Sequence, residues 1–229
     1  MVASGCFLFG SSARGDADSS SDTDVLLVYE HEPSILERQR AKELVFERLG
    51  KECSFGEYTS ERLSGMFSDG HLFAWHLYLE ARPLDVAGFS NVNLAFPQPE
   101  PYLYAVRDAM NFMDLLRSCV AEVGRKTASL VYEAGLGYVA IRNIGMSLSA
   151  LALTRPEFDR HVAFKVARAL GTASPCRLEE YDLLVAARHS SQRGFDEPSL
   201  DANVLLSTLN HALDWAKKSM EVINDSSVV

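Results

Sequence analysis

Long hydrophobic runs are missing from this 229-residue chain. Its longest uncharged stretch of helical character, residues 143–154, falls well short of the roughly 20 apolar residues a membrane span needs, so no membrane partner is expected. The opening residues MVASGCFLFG have no basic n-region, and their apolar run is too short for a secretory signal. The expected location is the cytoplasm. Cysteine is scarce: Cys6, Cys53, Cys119 and Cys176 stand far apart, with no Cys/His spacing of a zinc site. That excludes a disulfide framework and leaves buried, reduced thiols as the reading. Basic residues are outnumbered, 22 against 31 acidic, for a net charge of -9. Nucleic acid as a ligand held by bulk charge is therefore not expected, and any phosphate must be recognised by a few placed groups. The imbalance is uneven, because 15 acidic and 8 basic residues fall within positions 1–90. Disorder is excluded by a composition that is 47% apolar and 23% charged.

What is present divides into two parts. Residues 6–9, Cys-Phe-Leu-Phe, form a short apolar run that stops at Gly10, as a buried strand would. A stretch rich in Gly, Ala and Ser follows, and strand character returns over 22–29 through Val25-Leu26-Leu27-Val28. Ser34 and Glu37 make a capping box that opens a helix ending at Gly50. A third strand is expected over 52–58, with short helices near 60–67 and 70–80. Strands alternating with helices predict a mixed or parallel sheet. The Pro97, Pro99, Pro101 cluster marks a linker, assigned to residues 93–101 between a first domain at 1–92 and a second at 102–229. Beyond it only helical periodicity is found, over about 101–122, 126–152, 157–170, 177–190 and 199–222. The expected class is α+β: a small mixed sheet with helices, then an all-α helical bundle.

The chemistry-bearing stretch is Gly10-Ser11-Ser12-Ala13-Arg14-Gly15, followed after a spacer by Ser21-Asp22-Thr23-Asp24 and the apolar run. A strand ending at Gly-Ser lets backbone approach a ligand closely, and the amides opening the next turn suit phosphate oxygens. Asp22 and Asp24, one residue apart on a strand, share a face. Two adjacent carboxylates repel unless a cation lies between them. Mg²⁺ fits, since it takes oxygen ligands from one or two carboxylates plus substrate phosphates. A phosphate cradle beside such a site points to phosphoryl or nucleotidyl transfer.

At these residues the sequence resembles the DNA polymerase β-like nucleotidyltransferase superfamily, whose signature is an apolar strand, Gly-Ser, a spacer, and Asp-x-Asp before another apolar run. Ala13-Arg14-Gly15 and Ser21 look like its small prokaryotic members. The resemblance covers about residues 5–85. It implies an enzyme that moves a nucleoside monophosphate from a nucleoside triphosphate onto an acceptor hydroxyl and releases pyrophosphate. Asp22 and Asp24 would be catalytic and hold the metal, two Mg²⁺ ions by family habit with Mn²⁺ as a substitute. Gly10 and Ser11 would contact phosphates, with Ser12 and Arg14 assisting. The family usually adds a third carboxylate from a neighbouring strand as metal ligand and base. Alternation nominates Glu52 for it; another register puts Ser54 there and removes the carboxylate, and Glu57 and Asp85 are fallbacks. The acceptor would be a small molecule or a protein, and a homodimer is compatible with this reading.

In the second half, relatives carry a helical domain like that of kanamycin nucleotidyltransferases or of the HEPN class. Arg142-Asn143 looks like the start of the HEPN ribonuclease motif, but the His that should follow is absent: positions 147–149 read Ser-Leu-Ser. Arg142 is either a buried, satisfied arginine or a contact to nucleotide or acceptor. Arg188 and Arg193 end a helix, where cations favour the dipole or could face phosphate. His71, Trp75 and His76 are read as packing residues. The alternative to an enzyme is a catalytically weak nucleotide-binding or antitoxin-type interaction protein of a toxin–antitoxin or defence system.

Overall fold

The structure, a computed structural model, describes residues 4–16, 22–89, 96–126, 129–194 and 196–226. The chain divides into two compact units, residues 1–103 and 104–229. Ser21 and part of the expected linker lie outside the described residues.

The first unit is built on strands β1 (Gly5–Phe9), β2 (Asp24–Tyr29), β3 (Ser54–Thr59) and β4 (Arg82–Pro83). Their order is β3-β2-β1-β4. β1 runs antiparallel to β2 and β4, while β2 and β3 are parallel, so the sheet is mixed, as expected. β4 has only two residues, too few for a pattern to show in sequence. Helices α1 (Gly10–Arg14), α2 (Ile35–Leu49), α3 (Ser60–Ser68) and α4 (Leu72–Glu80) connect the strands.

β2 is covered on both faces. Val25, Leu27 and Tyr29 pack with Ala41 and Val45 of α2. Leu26 and Val28 pack with Phe7 and with Leu63, Phe67, Ala74 and Leu77 of α3 and α4. That explains a continuous apolar run instead of alternation. Each such side chain, fully removed from water, contributes about 1.5–3 kcal/mol before entropy is counted. α2 begins as its sequence indicates: Ser34 Oγ accepts from the Glu37 amide at 3.3 Å, and Glu37 accepts from the Ser34 amide at 2.8 Å. Gly50 closes the helix with φ 66°.

The second unit contains α5 (Ala105–Arg125), α6 (Leu130–Ala152), α7 (Val162–Leu170), α8 (Leu178–Arg193) and α9 (Ala202–Ser226). α6 is its centre, packed against all four others. α7 starts at Val162, five residues after the expected position. The intervening turn is stabilised by Ser149 Oγ, which accepts from the Glu157 amide at 2.9 Å, and by Asp159, which accepts from the His161 amide at 2.9 Å.

Close approach within this unit depends on Gly145 of α6, where a Cβ would meet the backbone N of Ala163 at 2.7 Å and its Cα at 2.8 Å. Gly124 of α5 has open space instead. Gly145→Ala should therefore lose about 1–3 kcal/mol by overpacking, while Gly124→Ala should gain up to about 0.5–1 kcal/mol from helix propensity. Chemical denaturation of both variants checks the opposite signs.

Candidate active site

β1 delivers the chain to Gly10, and its neighbour β2 begins at Asp24; Phe9 and Asp24 are register partners. Gly10 has φ +68°, and a Cβ there would stand 2.5 Å from Asp24 Oδ2. Glycine is required twice over, for the left-handed backbone and for the space beside a carboxylate. The chain then makes one helical turn, α1, which Gly15 closes with φ 82° and an amide donating to Ser11 O at 2.9 Å. Ser12 Oγ donates to the carbonyl of Asp22 at 3.2 Å and lies 3.5 Å from Thr23 Oγ1. Thr23 is 5% exposed. The Ser12 contacts join the α1 turn to the segment that carries the two aspartates.

Gly10, Ser11, Ser12, Asp22 and Asp24 therefore sit at one end of the β1–β2 pair. Asp24 shares the sheet face of Leu26 and Val28 and is partly exposed at the strand's start; Asp22 is exposed two residues before it. The donors gathered here are carboxylate and hydroxyl oxygens, and the glycine keeps a methyl group away from Asp24 Oδ2. This set suits a hard divalent cation such as Mg²⁺. Among the described residues, no group of three or more His, Cys, Asp and Glu side chains converges on one point.

The neighbouring strand explains this. Asp24 pairs in register with Ser54, and the Ser54 amide donates to Thr23 O at 2.9 Å. β3 begins at Ser54, so Glu52 precedes it; Glu52 is exposed and lines a cleft with Lys42, Phe46, Lys51 and Cys53 on the α2 side. Glu57 takes Lys42 at 2.6 Å, Arg38 at 3.6 Å and the Tyr29 hydroxyl at 3.4 Å. Burial and the adjacent Glu57 carboxylate push the Tyr29 phenol well above its usual range. Asp85 is exposed beside Arg48, which donates to its carbonyl at 3.1 Å.

Two residues that sequence reasoning left without a role lie close to the turn. Glu80 of α4 accepts from Arg14 Nη1 at 2.7 Å and contacts His76 Nε2 at 2.9 Å; its side chain is only 10% exposed. The His76 ring lies edge-on to Phe9, 5.5 Å between centroids. Arg14 also pairs with Asp16 at 3.0 Å. Burial works against the Arg14 charge, but its hydrogen bonds to Asp16 and Glu80 and the charges of those carboxylates more than offset it and hold its pKa above the ordinary value. The i, i+4 spacing of His76 and Glu80 was visible in sequence; their position beside α1 was not.

In the helical unit, Arg142 Nη2 donates to Phe158 O at 2.7 Å, so a backbone carbonyl, not a carboxylate, is its partner. Its Nε is buried without a partner among the described residues. Arg188 lies where α6 and α8 nearly touch, since a Cβ on Gly135 would meet its Cα at 3.1 Å. α8 is closed by Gly194 at φ 68°; the Arg193 side chain is outside what the structure describes.

Residues 4–66 match the family described as nucleotidyltransferase domain. Residues 4–66 of the N-terminal unit thus form a nucleotidyltransferase domain of the polymerase β-like kind. The spectinomycin adenyltransferase of Enterococcus faecialis, solved with ATP and spectinomycin, is similar at 12% identity over 93% of this chain and 91% of that one, with a TM-score of 0.47. No curated protein matches the sequence.

Gly10→Ala should leave the unit folded and reduce nucleotidyl transfer about 100-fold or more, because the added methyl displaces the Asp24 carboxylate. Steady-state kinetics beside a circular dichroism melt checks this; wild-type turnover would remove Gly10 from the site.

Proposed function

We propose that the protein transfers a nucleoside monophosphate from a nucleoside triphosphate to a hydroxyl of a small molecule or protein. The observation that carries the reading is the Gly10 turn held against the Asp24 carboxylate, within a nucleotidyltransferase domain. Gly10 and Ser11 face the β- and γ-phosphates with backbone amides. Ser12 holds the turn to residues 22–23, and Arg14, braced by Glu80, contributes positive charge. Asp22 and Asp24 hold the divalent cation, which when bound neutralises the triphosphate and polarises the α-phosphoryl group. The acceptor oxygen bonds to the α-phosphorus as the bond to the pyrophosphate oxygen breaks. The hydroxyl proton passes to a base and pyrophosphate leaves; Glu52, the carboxylate nominated from sequence, lies before β3 on the α2 side of the sheet, whereas Asp24 shares the face of Leu26 and Val28. The net negative charge supports a cationic small molecule or a protein as acceptor over RNA.

A second reading is supported by Ser54 standing beside Asp24 in the register. With no third carboxylate there, the domain would bind nucleotide and act as an interaction protein with little turnover. One experiment separates the two. The protein is incubated with labelled ATP, GTP, CTP and UTP and Mg²⁺, alone and with cell extract. The enzyme reading expects label transfer and pyrophosphate release that depend on Mg²⁺ and vanish in Asp22→Ala/Asp24→Ala. That variant should melt at or slightly above the wild-type temperature, since like-charge repulsion is removed. Transfer that persists in the double variant, or never appears, sinks the reading. Glu52→Gln turnover within about twofold of wild type would assign proton removal elsewhere.

A further inference from the structure

Helix α1 has only five residues. That is too short to hold its own shape, because a helical nucleus is costly and few bonds follow to repay it. Its ends are held from outside. At the first end, Phe9, the residue before Gly10, meets the His76 ring of α4 edge-on, 5.5 Å between centroids. At the last, Arg14 Nη1 donates to Glu80 Oε2 of α4 at 2.7 Å. The two holds are joined, since His76 Nε2 lies 2.9 Å from the same Glu80 oxygen. A carboxylate only accepts, which assigns the hydrogen to Nε2.

α4 is a firm base for this grip. Its Ala74 and Leu77 are fully buried against the sheet face of Leu26 and Val28. Glu80 is its last residue, with a side chain 10% exposed. A carboxylate there is disfavoured twice, by burial and by the negative end of the helix dipole. Its place therefore depends on the donors that meet it, Arg14 from α1 and His76 one turn earlier on α4. Asp16 also takes Arg14, through Nε at 3.0 Å, but it lies just beyond the turn and its side chain is 51% exposed. The Glu80 contact, in contrast, reaches a separate helix anchored in the core, and burial leaves it less screened.

We infer that Glu80 and His76 are positioning residues for the turn that receives the nucleotide. This rests on the nucleotide-transfer reading above and adds two residues to it. Neither touches substrate. They act through Arg14 and Phe9, clamping both ends of α1 so that Gly10 and Ser11 stay beside Asp24. The rigidity of a core-packed helix is thereby passed to a turn that has none of its own.

Two measurements on the full chain test this. Titration with the Mg²⁺ complexes of ATP, GTP, CTP and UTP needs no acceptor and finds the nucleotide that wild type holds best. Glu80→Met, which keeps length and removes both acceptor oxygens, should weaken that nucleotide about tenfold. His76→Phe, which keeps a ring against Phe9, should weaken it less. Arg14→Gln should weaken it too, and adding Glu80→Met to Arg14→Gln should change it by no more than about twofold, because Glu80 acts through Arg14. Hydrogen exchange without nucleotide is the second measurement. The Gly15 and Asp16 amides, which donate to Ser11 O, should exchange at least about threefold faster in Glu80→Met, while those of β1 keep wild-type rates. Binding by Glu80→Met within about twofold of wild type, additive losses in the double variant, or unchanged exchange at Gly15 and Asp16 each overturn the inference. So does faster exchange throughout the unit, which would make Glu80 a residue of stability alone. A wild type that binds none of the four nucleotides defeats the underlying reading, an outcome distinct from a wild type that binds while Glu80→Met binds equally well.

Discussion

One strand carries two demands that pull against each other. β2 must be apolar on both faces, because α2 packs on one side and α3 with α4 on the other. Yet the residues that enter it are Asp22 and Asp24, which burial would penalise heavily as unpaired charges. The conflict is resolved at the strand's end. Val25 to Val28 are almost wholly buried, whereas Asp24 is only half covered and Asp22 is exposed. Asp24 is thereby fixed at the start of a buried strand, with Asp22 two residues before it. Packing of the strand thus sets the position of Asp24, and the hydrogen bond from Ser12 to Asp22 O ties the preceding residues to the turn.

Gly10 is the counterpart of that strand. Phe9, the register partner of Asp24, delivers Gly10 beside that carboxylate, where a Cβ would stand 2.5 Å from Oδ2 and the backbone is left-handed. Around it, Ser12 fastens the turn to residues 22 and 23, and the Arg14–Glu80–His76 contacts fasten α1 to α4. A nearly buried carboxylate holding both an arginine and a histidine contributes more than an exposed pair would, because it is less screened. The departure lies across the sheet, where Ser54 rather than a carboxylate stands beside Asp24. A hydroxyl can neither share a metal's charge nor remove a proton as a carboxylate does.

The helical unit follows a different rule. α6 is packed by every other helix of the unit, and small residues allow it: Gly135 against α8, Gly137 against Leu209 of α9, Gly145 against α7. Arg142 and Trp215 each retain a buried nitrogen without a partner among the described residues. The two differ in surroundings. Arg142 satisfies its guanidinium in part through Phe158 O, while Trp215 is buried on α9.

The elements whose signals are local could be read along the chain. The apolar run of β2 and the Ser34–Glu37 box with its closing Gly50 needed only neighbouring residues, as did the helical periodicity after the proline cluster. So did the Gly-Ser and Asp-x-Asp spacing that nominated Gly10, Ser11, Asp22 and Asp24. Register was not local. Whether Glu52 or Ser54 stands beside Asp24 depends on which hydrogen bonds join β2 to β3, and a two-residue difference in where the strand starts decides it. Nor could sequence bring Glu80 to Arg14 or His76 to Phe9, because those contacts span dozens of residues and arise only when helices pack. The sequence by itself determined which residues could do the chemistry, since backbone freedom and side-chain type are properties of each position. The tertiary structure alone decided which of them meet, since distance between remote residues is set by packing.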